Sequence, residues 1–253
     1  MTFKVVIPAR YESSRFPGKL LSKLGDKPVV CYAVEAAKLS GAEEIIVATD
    51  DQRIADAVIE TGCKVLITEK THENGTERLV EVCSRADWQE ETVVVNLQGD
   101  EPFVPPNLIS TIAQSLEENH SASVATACFP IHSRNEIFDP NLVKVVLDHG
   151  QNALYFSRAP IPWIRDIYPN GTDSHREVAL GHGHIGIYGY RVRFLKRYAE
   201  LPISPLEQSE KLEQLRVLQS GERILIVQTD TPPAPGIDTP EDLERAQEYI
   251  GGL

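Results

Sequence analysis

Short runs of β-branched residues alternate along this chain with longer stretches whose apolar residues recur at helical spacing. Val5-Val6-Ile7 follows a single charged residue and has the make-up of a central strand buried on both faces of a parallel sheet, stopped by Pro8. Pro28 to Leu39 (PVVCYAVEAAKL) reads as a helix with Gly41 as its C-terminal cap, and Glu44 to Thr49 (EIIVAT) as a second buried strand. A helix from Gln52 to Glu60 and a strand from Lys64 to Ile67 complete a β-α-β-α-β order, the opening of a doubly wound sheet. After the Asn74-Gly75 turn, a helix to Ala86 is expected, then the most strongly β-branched strand, Thr92 to Leu97 (TVVVNL). Pro105 to Asn119 predicts a helix, and Ser123 to Pro130, Asn141 to Asp148, Asn152 to Ile161 and His184 to Tyr190 predict strands. Glu207 to Ser220, with leucines at 212, 215 and 218, reads as one amphipathic helix ending at Gly221. Arg223 to Gln228 is a last strand, and Thr239-Pro240 starts the final helix with a threonine N-cap and proline in the first turn.

The length of 253 residues suits one large α/β domain, with room for a modest insertion, and 42% apolar content is enough to fill its core. Lys plus Arg number 25 against 37 Asp plus Glu, a net charge of −12, so the fold as a whole repels nucleic acid and anionic membranes. Cys31, Cys63, Cys83 and Cys128 are scattered without CxxC spacing, which predicts free thiols, no disulfide and no zinc. No apolar run approaches the roughly 18 residues needed to span a bilayer, so the cytoplasm is the expected compartment.

Against that acidic background the stretch Lys4 to Lys19 (KVVIPARYESSRFPGK) is a local exception. Ligands in open α/β sheets bind beyond the carboxyl ends of the strands, where Arg10, Arg15 and Lys19 all fall. Guanidinium groups can fork onto phosphate oxygens, lysine adds a point charge, and Ser13, Ser14 and backbone N–H groups add neutral donors. The loop therefore reads as a triphosphate cradle, although neither GxGxxG nor GxxxxGK[ST] occurs. Thr49-Asp50-Asp51 ends another strand, where a carboxylate can meet a base or ribose; Asp51 serves equally well as a helix N-cap. Asp100, following Gln98-Gly99 at the tip of the TVVVNL strand, is placed to hold a hard cation, because a cap for the next helix belongs nearer Pro105. His184, Gly186 and Tyr188 share one face of an alternating strand and are structural or ligand-binding on that pattern.

The strings IPARYESSRFPGK, THENGTER, NLQGDEP, YFSRAPIPW with HIGIYGYR, and EKLEQLR together resemble the CMP-Kdo synthetase family, the 3-deoxy-manno-octulosonate (Kdo) cytidylyltransferases. The resemblance implies a single α/β domain over residues 1–253 with the Rossmann-like nucleotide-diphospho-sugar transferase fold. Its sheet would be mixed but mostly parallel, of about seven strands flanked by helices. It implies transfer of CMP from CTP to the anomeric hydroxyl of Kdo for lipopolysaccharide biosynthesis, with Arg10, Lys19, Asp100 and Asp238 catalytic and Asp100 and Asp238 sharing Mg²⁺. The nucleotide would be held by Pro8, Ala9, Arg10, Ser13, Ser14, Arg15, Lys19, Thr49, Asp50, Asp51, Gly75, Thr76, Arg78 and Gln98. The sugar would be held by Arg78, Gln98, Arg158, His184, Tyr188, Glu213 and Gln214. A homodimer is implied, paired through an arm around residues 150–190 that includes the polar stretch between Trp163 and Gly181. Two positions depart from the pattern: Gly183, where a larger residue is expected, and Glu12, where a small one is common. The rival enzyme is a cytidylyltransferase for a sialic acid or an amino derivative of Kdo, and YFSRAPIPW argues against sialic acid. A noncatalytic nucleotide sensor would be expected to have lost the aspartates or the lysine, and all are present.

Overall fold

Val5, Val6 and Ile7 have no exposed surface, and the strand that carries them, β1 (Phe3–Ala9), lies in the middle of the main sheet with strands on both sides. The computed structural model describes residues 2–72, 74–166, 168 and 179–252. After β1 and its loop come a small ribbon, β2 (Lys23–Leu24) and β3 (Lys27–Pro28), then α1 (Val29–Leu39), β4 (Glu44–Thr49), α2 (Gln52–Ile59) and β5 (Lys64–Ile67). The middle of the chain forms α3 (Gly75–Ala86), β6 (Val93–Asn96), α4 (Pro106–Glu118), β7 (Val124–Ile131) and α5 (Arg134–Phe138). A hairpin of β8 (Lys144–Leu147) and β9 (Ala153–Ser157) follows, then β10 (Gly181–Arg191), α6 (Val192–Tyr198), α7 (Pro205–Glu210), α8 (Gln214–Gln219), β11 (Ile224–Gln228) and α9 (Pro240–Gly251).

The main sheet runs β11-β7-β10-β6-β1-β4-β5, seven strands in one path, with β8 and β9 branching from β10. β10 is antiparallel to β6 and β7 while the other pairs of the path are parallel, so the sheet is mixed and mostly parallel. Alternation along β1 sends Val5 and Ile7 to one face with Val34, Ile54 and Ile112, and Val6 to the other with Leu79, Val82, Phe194 and Leu215. Each such side chain contributes roughly 1.5–3 kcal/mol relative to exposure, so the two-faced core holds the strand ends, and the loops beyond them, in fixed register. All four cysteines are free. No helix among the described residues is long and apolar enough to cross a membrane.

Two expectations are corrected. Glu207 to Ser220 is not one helix: α7 ends at Lys211, which adopts the left-handed conformation (φ 56°), and α8 restarts after Glu213. The break is held by Glu207, whose carboxylate accepts from Arg216 Nε (2.7 Å) and Nη2 (2.6 Å) across the turn while also closing the Ser204 capping box. The strand expected from Asn152 to Ile161 ends at Ser157. Of the polar stretch between Trp163 and Gly181, residues 167 and 169–178 lie outside the described residues.

The departure at Gly183 has a steric cause: a Cβ there would sit 2.5 Å from Cζ of Phe129 on the paired strand β7. At Gly186 a Cβ would meet nothing within 4 Å. Gly183→Ala is therefore expected to cost about 1–3 kcal/mol in denaturant unfolding through overpacking, and Gly186→Ala to stay within about 0.5 kcal/mol of the parent. Equal midpoints for the two variants would contradict this packing.

Candidate active site

β1, β4 and β6 run parallel and end at one edge of the sheet, where their loops converge. Gly18 (φ 73°) turns the loop after β1 back on itself, its N–H bonding Tyr11 O at 2.9 Å, and so drives Lys19 beneath the loop to 8% exposure. The Lys19 ammonium there meets Asp100 Oδ2 at 2.5 Å and Asp238 Oδ1 at 2.8 Å. Asp100 reaches it because Gly99 passes close to β1; a Cβ on that residue would lie 3.2 Å from Pro8 O. Asp238 is delivered by the start of α9, where Thr239 and Asp242 form a capping box and Ile237 N donates to Asp100 O at 2.8 Å. The exposed Arg15 reaches the other oxygen of Asp238 at 3.0 Å.

Burial disfavours the Lys19 charge, yet Asp100 and then Asp238 outweigh it and hold the ammonium above its ordinary range. Glu101 stands beside them, its carboxyl pushed up to about 7 by burial and then by the charges of Asp100 and Asp238. Two carboxylates meeting at one point could hold a divalent cation that fills its remaining positions with phosphate oxygens and water, as Mg²⁺ commonly does. The described residues contain no cluster of three or more His, Cys, Asp or Glu side chains suited to a metal.

Pro8, Ala9, Arg10, Ser13, Lys19, Gly75, Arg78, Gln98 and Asp100 line one cavity with His72, Asn74 and Glu213. The N-terminus of α3 borders it, its cap supplied by Asn74 Oδ1 accepting from Glu77 N at 2.9 Å. Arg78, 3% exposed, donates to Asp50 Oδ2 at 2.9 Å and to Thr68 Oγ1, which ties the ends of β4 and β5 to α3. Thr49 is fully buried and accepts from Asp51 N at 3.2 Å. Of the two roles open to Asp51, the structure shows the cap: it accepts from Arg53 N at 2.9 Å and holds the Arg53 guanidinium at 2.9 and 2.7 Å. Ser14, Asp50 and Asp51 line a neighbouring depression with Arg10 and Ser13.

A second cavity is lined by Gly75, Thr76, Gln98, His184, Tyr188, Glu213 and Gln214, together with Asn96, Tyr190, Tyr198 and Lys211. It shares Gly75, Gln98 and Glu213 with the first, so the two meet there. The one hydroxyl hydrogen of Thr126 goes to the backbone carbonyls of β10, at 2.7 Å from Ile187 O, which leaves its oxygen to accept from His184 Nε2 at 3.0 Å. Burial pushes His184 down to about 3, so its imidazole is neutral at physiological pH. Tyr188 stacks on Tyr190 at 5.8 Å between centroids, and Tyr190 on Phe194 at 6.2 Å. Glu213 opens onto both cavities, accepts from Thr76 Oγ1 at 3.0 Å, and is held above the usual carboxylate range by the surrounding protein.

Arg158 is not brought to either cavity. Its Nε donates to Glu210 O at 2.8 Å and its Nη1 to Pro140 O at 2.9 Å, while its backbone N–H bonds the Glu210 carboxylate at 2.9 Å. These bonds clamp the end of α7 rather than present a guanidinium to a ligand.

The cytidylyltransferase family model matches residues 4–224. A 3-deoxy-manno-octulosonate cytidylyltransferase of Nitrosococcus oceani is 49% identical over 99% of this chain and 97% of its own length, and one from Idiomarina loihiensis is 50% identical over 99% of each. The chain belongs to the cytidylyltransferase family. A solved CMP:2-keto-3-deoxy-manno-octonic acid synthetase complexed with CTP superposes with a TM-score of 0.88 at 40% identity, covering 99% of this chain and 98% of that one. A cytidylyltransferase from Leptospira borgpetersenii, at 15% identity and a TM-score of 0.65, shares the fold.

Several residues of this cytidylyltransferase's site gave no signal in the sequence. Tyr190 and Tyr198 look like core aromatics, Asn96 hides in a β-branched run, and Lys211 looks like a solvated helical position. Glu101 lies within NLQGDEP, where its neighbour to the aspartate was the signal.

The depressed His184 has a consequence for stability. Its folded-state pKa lies below the unfolded value of 6.5, so its contribution is full above pH 6.5 and is lost as pH falls toward 3, when only the unfolded chain takes up the proton. The His184 imidazole should remain neutral by NMR down to about pH 3, and His184→Gln should lose less stability than the parent over that interval. An imidazole titrating near pH 6.5 would contradict this environment.

Proposed function

We propose that the chain transfers CMP from CTP to the anomeric hydroxyl of Kdo, releasing pyrophosphate and forming CMP-Kdo for lipopolysaccharide assembly. The observation that carries this reading is the junction of a highly charged cavity with a tyrosine-lined one at Gly75, Gln98 and Glu213. The first suits a nucleotide triphosphate and the second a polyol, and the names of the relatives carry the same pair of substrates. Arg10, Arg15 and Lys19 would stabilise charge on the leaving pyrophosphate. Asp100 and Asp238 would hold Mg²⁺, which when bound neutralises phosphate charge and lowers the pKa of the attacking hydroxyl. His184, neutral, and Tyr188, Glu213 and Gln214 would exchange hydrogen bonds with sugar hydroxyls. Arg158 is occupied by carbonyls and Arg78 by Asp50, whereas Lys211 lines the second cavity and is in no ion pair among the described residues. Lys211 is thus the cation available to the ulosonate carboxylate, where the sequence resemblance offered Arg78 and Arg158 among the sugar-binding residues.

A second part of the reading is a homodimer. Phe138, Trp163 and Tyr168 contact one another at 5.0–6.4 Å between ring centroids, and Trp163 remains 59% and Leu154, on β9, 61% exposed. Apolar surface of this kind suits a second copy of the chain.

Pyrophosphate release from CTP, assayed with a panel of ulosonic acids and with glucose 1-phosphate, tests the activity: turnover with Kdo and none with the sugar phosphate are expected. Asp100→Asn and Asp238→Asn should each lower that turnover roughly a hundredfold while leaving the fold intact. Near-normal activity in both would overturn the metal assignment. Sedimentation at micromolar concentration should show a dimer, and a monomer alone would refute the pairing.

A further inference from the structure

Two buried polar groups of the second cavity have no hydrogen-bond partner: Asn96 Oδ1 and the Tyr198 hydroxyl. Asn96 is 2% and Tyr198 1% exposed, so water outside the cavity does not satisfy them. Burial without a partner is unfavourable for either group, and native proteins leave few such atoms without a reason. Neither residue can readily turn to find another partner. Asn96 is held in the β6–β10 ladder directly opposite Tyr188, which puts both side chains on the same face of the sheet. Tyr198 is pinned by Phe194, 6.0 Å away between ring centroids, and by the Arg216 guanidinium 4.8 Å from its ring, itself bound to Glu207. Two other polar groups of this wall are paired within the protein, His184 with Thr126 and Glu213 with Thr76.

We infer that Asn96 and Tyr198 are specificity-determining residues that read hydroxyl groups on the tail of the acceptor. The inference rests on the proposed Kdo reading. Both residues line the second cavity and neither lines the first, whereas the reacting C2 hydroxyl must stand at the junction marked by Gly75, Gln98 and Glu213. What remains for the Asn96 and Tyr198 end is the part of the acid furthest from C2, its C7–C8 side chain. An amide oxygen accepts and a phenol both donates and accepts, so a diol completes the pair, while an apolar or shortened tail leaves it unsatisfied.

The test is steady-state pyrophosphate release by the full chain and by Tyr198→Phe and Asn96→Leu, with Kdo and with an analogue deoxygenated at C7 and C8. Both variants should raise KM for Kdo about tenfold and leave KM for CTP unchanged. The parent should lose about tenfold on the deoxy analogue, and Tyr198→Phe should lose less than the parent on that change because its partner is already gone. Thermal unfolding separates this from a structural role: removing an unpaired hydroxyl leaves the Tyr198→Phe midpoint equal to or above the parent's. An unchanged KM for Kdo in both variants, or a lowered midpoint with both KM values moving together, would overturn the inference. Failure of the parent to turn over Kdo at all would overturn the functional reading and this inference with it.

Discussion

Lys19 stands between two carboxylates separated from it by 81 and 219 residues, and the geometry of the strand-end loops follows from that contact. Two carboxylates brought this close repel; unit charges 4 Å apart at an effective dielectric of about 20 interact by about 4 kcal/mol. The ammonium of Lys19, a residue 8% exposed, offsets that repulsion, with solvent screening the Asp238 side of the contact more than the Asp100 side. It thereby ties the β1 loop to the end of β6 and to the segment entering α9. Glu101, packed against Gly236, where a Cβ would come within 2.8 Å of its Oε1, feels the same negative charge. Local features all serve this meeting: the left-handed turn at Gly18, the close pass of Gly99 and the capping box at Thr239.

The two cavities differ in their electrostatics, and that difference separates their work. The first gathers Arg10, Lys19 and Arg78 around Asp100, a setting for highly charged phosphates. The second is walled by tyrosines, a neutral histidine and amides, with Lys211 also in its lining, and there hydrogen-bond geometry adds to charge in distinguishing one ligand from another. Glu213 belongs to both, and burial raises its carboxyl above the usual carboxylate range.

The strands were legible because a sheet buried on both faces demands continuous apolar β-branched runs, as in Val5-Val6-Ile7 and TVVVNL. Asp100 was legible from its place at a strand tip, and Asp238 only from the resemblance, since Thr239 accounts for the cap beside it. The break at Lys211 was hidden: Leu212, Leu215 and Leu218 fit an unbroken helix, and the turn is imposed by the buried Glu207–Arg216 pair, whose members lie nine residues apart. Arg158 misled because a guanidinium in a pocket-like string says nothing about backbone carbonyls waiting at Pro140 and Glu210. Asn96 and Tyr198 become visible as a pair only when the fold brings them to the wall of one cavity, because an unsatisfied polar atom is a property of surroundings and not of spacing.

The central claim is that the Lys19 charge holds Asp100 and Asp238 together. It is tested most directly by the thermal midpoints, in metal-free buffer, of Lys19→Met and of Lys19→Met combined with Asp100→Asn. Removing the Lys19 charge from this part-buried cluster should lower the midpoint by a few degrees, and neutralising Asp100 in the same chain should recover part of that loss by relieving the repulsion with Asp238. A Lys19→Met midpoint equal to the parent's, or a double variant less stable than Lys19→Met alone, would contradict the account.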